Sequence, residues 1–365
     1  MAKGYPVLIC GTTDKHKQFH PFYLSICSHE TEVDYEFMFT TVKHSAKKFF
    51  NFDYRPNTLI ADAAPAIHNG FMKAFDYKSL TDFNRVTCWS HVYRNCENML
   101  KSISAEIKDS ILDDIKSIQV MPTTKAFNVA IENFFEKWEE ESSVKSFLEH
   151  FKKEWVEKNN GWYEGFCDGN IPSTDNGLES LNGKIKSKNT LRERMSVGQY
   201  LGNAKAMVTD WSKDRGEGDS VEKFFYETPF VPGKTWTMAY DFLYKGQGII
   251  RKGKTVFVMA LKEYQDRIIP IYINGKYDQI KSEFDTYIEY FRRVRIIKLD
   301  RENWAKSSCS CSWYLKNYSC YHLIAVATQE KLVEIPMEFK DVALEAKPPK
   351  GRKPKAKKAL ERNAI

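Results

Sequence analysis

The stretch "CSCSWYLKNYSCYH", Cys309 to His322, constrains this chain more than any other. It gathers three of the eight cysteines and one of the eight histidines into one short segment. Cys309 and Cys311 are two apart, and in an extended segment residues i and i+2 face the same side, so both sulfurs aim at one point. Cys320 and His322 repeat that offset at the start of an apolar helical run, "LIAVATQEKL". A disulfide between Cys309 and Cys311 would be badly strained and would leave His322 unexplained. A histidine on an apolar helix is ordinarily a core residue; beside three cysteines it completes a different set. Three thiolates and one imidazole are the donors of a closed tetrahedral zinc site, with Zn–S about 2.3 Å and Zn–N about 2.0–2.1 Å. A structural Zn²⁺ on Cys309, Cys311, Cys320 and His322 is therefore expected.

Metal rather than disulfide requires reduced thiols, and here composition enters. No segment approaches the roughly 18–20 apolar residues of a membrane span, and the apolar core of "MAKGYPVLICGTTDK" is too short for a secretory signal. An intracellular chain with no membrane partner is expected, where clustered cysteines are metal ligands more often than bridges. The 365 residues, 42% apolar and 28% charged, suffice for two or three globular domains. The charge is not spread evenly. Residues 347–365 carry eight Lys/Arg against Glu361 alone, a net +7 that equals the charge of the whole chain, so residues 1–346 sum to zero. "KPPKGRKPKAKKALERNAI", punctuated by Pro and Gly and without apolar period, is expected to be a disordered tail (345–365). It is suited to a solvated terminus, nuclear import or nucleic-acid contact through Lys350, Arg352, Lys353, Lys355, Lys357 and Lys358. "KGRKPKAKK" loosely resembles an AT-hook, although the Arg-Gly-Arg-Pro core of that motif is not intact.

Before the tail, the chain alternates element types. "YPVLICGTT" and "PFYLSICSH" read as antiparallel strands and "VDYEFMFTTVKHSAKKFF" as a helix. "PNTLIADAAPAI" reads as a strand ending at Asp62 and then a helix; "FNRVTCWSH" is a further strand entering a helix. From Glu97 to about Asn160 the pattern is continuously helical, with Thr123/Thr124 and Ser142/Ser143 as expected N-caps. A loop, "GNIPSTDNGLESLNGKIK", precedes another long helix, and "GEGDS" is a linker. "KTVFVMAL", "IIPIYI" and "RRVRIIKL" read as strands leading to the cysteine cluster.

Asp62 ends an apolar strand, where ligand-binding carboxylates sit in α/β sheets, though a lone Asp there is commonly a helix cap. Cys88 and His91 leave the next strand, and Glu179 stands in a polar helix start. The order changes the weight of each. Strand–Asp, strand–Cys-x-x-His, helical stretch, Asn176-x-x-Glu179-x-x-Asn182 and a Cys-x-Cys…Cys-x-His finger of SWIM type closely resemble the transposases of Mutator-like elements over roughly residues 5–326. The resemblance implies an RNase H-like α/β core whose acidic triad, with Mg²⁺ or Mn²⁺, transfers phosphoryl groups on DNA; two ions about 3.5–4 Å apart clamp the attacking and leaving oxygens. Asp62 then resembles the second acid and Glu179 the third, while Cys88, His91, Asn176 and Asn182 match accompanying motif positions.

The first acid has no counterpart. Asp14 also ends a strand, but that strand resembles the family's second one, with the first expected before Met1. The absence predicts a gap in the sheet beside the Asp62 strand, with Asp14 in a turn, facing solvent or capping. The implied organisation is an RNase H-like core (1–96), a helical insertion (97–170), a core return carrying Glu179 (171–215), a β-rich region (221–335) ending in the finger (about 300–330), plus the tail. The implied function is a nuclear, zinc-binding, DNA-associated, transposase-derived protein, catalytically incomplete, acting on element ends or A/T-rich DNA; self-association is left open. Mg²⁺ or Mn²⁺ is expected only with a complete triad. The rivals are a non-cutting regulator resembling the far-red-impaired-response factors, and an adaptor whose zinc module binds protein.

Overall fold

β-Branched and aromatic residues draw Val7–Thr13 (β1) and Phe19–Ile26 (β2) into an antiparallel hairpin. The computed structural model describes residues 5–167, 171–191, 193, 195–215, 223–244, 248–259, 274 and 282–340. Glu32–Phe50 (α1) follows, then Thr58–Ala61 (β3), Pro65–Ala74 (α2) and Asn84–Thr87 (β4). β3 and β4 pair in parallel, Leu59 opposite Arg85 and Ala61 opposite Thr87, the geometry that an intervening helix permits. Pro65 opens α2, where its missing N–H costs nothing.

Period-two alternation sends neighbouring β1 residues to opposite faces. Leu8 packs with Met38, Phe39, Leu59, Phe71 and Phe75 beneath α1 and α2. Ile9 packs with Ile185, Tyr200, Ala204 and Met207, with Leu178 and Leu181 against them, which come from Asn176–Lys184 (α7), its continuation, and Val197–Lys213 (α8). Strands thus lie between two helical layers. They form two separate two-stranded sheets, β1–β2 and β3–β4. A cavity of about 580 Å³ lies between them, lined by the whole of β1 and by Thr58–Asp62.

Four helices fill the middle of the chain: Trp89–Met99 (α3), Ala105–Gln119 (α4), Thr124–Trp138 (α5) and Lys145–Phe151 (α6). Thr123 caps α5, its hydroxyl accepting from Ala126 N at 3.2 Å. The Ser142/Ser143 expectation is corrected. Glu141 is the cap of the turn leading into α6; its carboxylate accepts from Ser143 N at 3.1 Å and also takes the Ser143 hydroxyl, which is thereby spent as a donor.

Among the described residues, the region 221–335 mixes helices with short strands. Gly233–Tyr244 (α9) and Phe284–Arg293 (α10) are helices, alongside Ile249–Lys252 (β5), Thr255–Met259 (β6), Val294–Lys298 (β7), Ser308–Cys309 (β8), Ser312–Asn317 (α11) and Tyr321–Gln329 (α12). In α10 the aromatic and β-branched content looks strand-like, but the buried Phe284, Tyr287, Ile288 and Phe291 follow helical spacing. "IIPIYI" lies outside the described residues. The antiparallel sheet β5-β6-β7-β8 has two working faces. Phe257, Met259, Val294 and Ile296 join the core of α4–α6, while Val256, Val258, Ile297 and Leu299 face α9 and α12. The helical stretch shares its core with one face of the C-terminal sheet. No helix of the described residues is long and apolar enough to cross a membrane.

Candidate metal centre and strand-end cluster

Cys309 ends β8, opposite Ile297 of β7. Cys311 and Cys320 each precede a helix, and each sulfur accepts the backbone N–H three residues on, from Tyr314 and from Leu323, at 3.4 Å. The helix starts thus hold two sulfurs in place, and Tyr318, in the left-handed region (φ 56°), turns the chain back between them. His322 lies in the first turn of α12, whose residues 322–327 are all buried, the pattern of a core helix. The four donor atoms lie within 4.8 Å of one another and all four residues are buried. His322 Nδ1 is buried without a hydrogen-bond partner. Burial pushes the Cys309 and Cys320 thiols well up, whereas hydrogen bonds from those two thiols, and then His322, pull Cys311 down. A buried set of three sulfurs and an imidazole, with one ring nitrogen lacking a partner, could hold a metal ion such as zinc.

The second group sits where β3 and β4 end. Cys88 N donates to Ala61 O at 2.9 Å, continuing the parallel pairing, so Asp62 and Cys88 leave the strands side by side. Trp89 N donates to Ser173 O at 2.8 Å, which brings the segment before α7 against the start of α3. Gly177 lets α7 approach β2 closely: a Cβ there would meet Phe19 Cβ at 2.9 Å. His91 becomes the hub. Its Nδ1 is 2.9 Å from Asp62 Oδ1 and 3.9 Å from Asp175 Oδ1, and its Nε2 is 3.5 Å from Glu179 Oε1. The Cys88 thiol donates to Asp175 Oδ1 at 2.8 Å. Arg94 reaches Glu179 at 3.9 Å.

Asp62 and Glu179, expected as acids of one site, are therefore gathered around the same histidine, together with Cys88. Asn176 accepts from Ser90 Oγ at 2.9 Å, tying α7 to α3, and Asn182 lines the cavity beside β1. Asp175 and Arg94 were not legible as site residues. The available signal for Asp175 was its place in "STDNGLESLN", immediately before the helix start that carries Glu179. Burial raises the Asp62 carboxyl above its usual range; the His91 charge opposes this, and Asp175 and Glu179 add to it. Burial, and donation to Asp175, push the Cys88 thiol up to about 12.

Asp14 belongs elsewhere. It is buried, not turned to solvent, and caps the β1–β2 turn: Oδ1 accepts from His16 N at 2.9 Å and Gln18 N at 2.8 Å. Its Oδ2 lies 3.1 Å from His20 Nε2 and accepts from Tyr226 N at 3.3 Å. Two ions bound in the manner of Mg²⁺ need oxygen donors around them. A sulfur and an imidazole occupy the middle of this cluster, so the residues present do not fit such a pair. The tail residues Lys350, Arg352, Lys353, Lys355, Lys357 and Lys358 lie outside the described residues. Comparison with protein-family models and with curated proteins returns no match to this chain.

Proposed function

We propose that this chain is a transposase-derived, DNA-associated nuclear protein of the Mutator-like kind, with a SWIM-type zinc module and an RNase H-like core. Its ancestral reaction is metal-dependent phosphoryl transfer on DNA, and the residues present here are catalytically incomplete. The observation that carries the reading is the convergence of Asp62, Cys88, His91, Asp175 and Glu179, from three separate segments, at the ends of parallel β3 and β4. Zinc is the ion proposed for the closed Cys3His set, since a buried tetrahedron of sulfur and nitrogen donors suits it.

Two features support incompleteness. β1 and β3 flank an open cavity where a further strand, carrying the first acid, would fit. Asp14 is committed to its own turn, to His20 and to Tyr226. The same incompleteness favours, as a second reading, a regulator that binds DNA without cutting it.

The test is DNA binding and cleavage by the full chain with Mg²⁺ or Mn²⁺. Binding that weakens with salt by about 0.9 log units per phosphate neutralised is expected, most of the slope vanishing on deletion of residues 347–365. No strand cleavage is expected. Absence of salt-dependent binding would overturn the DNA reading. Cleavage lost on both Asp62→Asn and Asp14→Asn would overturn the incompleteness. Supplying an Asp-bearing strand upstream of Met1 separates the two readings: gain of cleavage favours the transposase, continued silence the regulator.

A further inference from the structure

The strand-end cluster has donors that DNA chemistry with hard ions does not require. We infer that Cys88, His91 and Asp175 form a second transition-metal site, of the zinc class, with Asp62 bordering its remaining coordination position. One sulfur, one ring nitrogen and one carboxylate oxygen from these residues lie within 4.8 Å of one another. That spread permits a shared ion at bond lengths of about 2.0–2.3 Å. The donor set is soft and borderline; sulfur and imidazole select zinc, cobalt or a similar ion over magnesium or calcium.

A second observation points to a ligand independently of that spacing. Asp62 Oδ1 and His91 Nδ1 are both shielded from solvent and both lack a hydrogen-bond partner, although they are only 2.9 Å apart. The two atoms form an ion pair whose alignment falls short of a hydrogen bond, and an ion placed beside them would satisfy both. The other ring nitrogen, Nε2, faces Glu179 at 3.5 Å. A carboxylate behind one nitrogen and an ion before the other is the arrangement that orients metal-bound histidines. Three protein ligands with the fourth position bordered by a half-exposed carboxylate leave that position accessible to water or to a phosphate oxygen, unlike the closed Cys3His set.

The site shares residues with the proposed DNA function but does not depend on it, and metal analysis without DNA tests it separately. Full-length protein loaded with Zn²⁺ and freed of loosely held metal is expected to hold two equivalents. Cys88→Ser and Asp175→Asn are each expected to hold one, with the Cys3His equivalent retained. In Co²⁺-substituted protein, the Cys309→Ala, Cys311→Ala double variant should keep a thiolate-to-cobalt absorption band that disappears when Cys88→Ser is added. Wild-type protein holding a single equivalent, or a cobalt spectrum indifferent to Cys88, would overturn the inference. Asp175→Asn, at a half-buried position, serves if Cys88→Ser does not fold. A second equivalent found without DNA binding would leave this site standing and sink only the DNA reading; the converse result would do the reverse.

Discussion

His68, on α2, shows how one buried nitrogen writes a pH dependence into the fold. Burial, then the nearby Arg85 and Lys158 charges, lower it from its ordinary 6.5 to about 4, and its Nδ1 has no hydrogen-bond partner. The unfolded chain therefore takes up this proton before the folded one does. Stability from this residue is complete above pH about 6.5 and is lost as pH falls toward about 4. Urea midpoints measured across that window should decline for the wild type, and His68→Gln should flatten this part of the decline; an unchanged slope would refute the assignment. At the same scale, the clustering of Cys309, Cys311, Cys320 and His322 was legible because the members of each pair sit two residues apart, a spacing that local backbone geometry can satisfy. It could not identify the union of Asp62 with Asp175. An aspartate that ends a strand and one that precedes a helix look alike wherever they cap, and only packing decides which of them share a site.

Among elements, the contact of α1 with α2 depends on a missing side chain. A Cβ on Gly70 would stand 2.6 Å from Glu36 N and from Tyr35 Cβ, and 2.8 Å from Glu32 O. These are backbone atoms or atoms fixed to it, so no side-chain rotation relieves the clash. Gly70→Ala should therefore cost about 1–3 kcal/mol in urea unfolding, the range of overpacked interiors. Gly183, in α7, has nothing within 4 Å of its Cβ position, and Gly183→Ala should stabilise by up to about 1 kcal/mol through helix propensity. Equal effects at the two sites would show that helix packing is not what Gly70 serves. Helices with clean stripes, such as α4 and α5, were legible from their periodicity. α9 was not, because "GKTWTMAYDFLY" is rich in residues that strands also favour; it is a helix packed against α12 around Ala239 and Phe242.

Across the whole molecule, the core around the Cys3His cluster and the helical core pack on opposite faces of one sheet. Val256, Val258 and Ile297 lie on the metal side, and Phe257, Met259 and Ile296 on the helical side. Structural zinc in small fingers is coupled to folding by ~10–16 kcal/mol. Chelation, or Cys311→Ser, should therefore remove hydrogen-exchange protection from α11, α12 and α9, lower it partly in β6 and β7, and spare most of α4 and α5. Retained protection in α12 after complete metal removal would contradict the metal assignment. By itself the sequence determined what depends on neighbours along the chain: the Cys3His spacing, the hairpin, the strand ending at Asp62, and the helical periods. The tertiary structure alone decided which distant segments meet. Side-chain direction in a strand or helix is set locally, but partners across the fold follow from how whole faces bury. That is why His91 stands among Asp62, Asp175 and Glu179, why Asp14 turns inward to its own hairpin, and why a stretch that reads as a helical insertion shares its core with the sheet that carries Cys309.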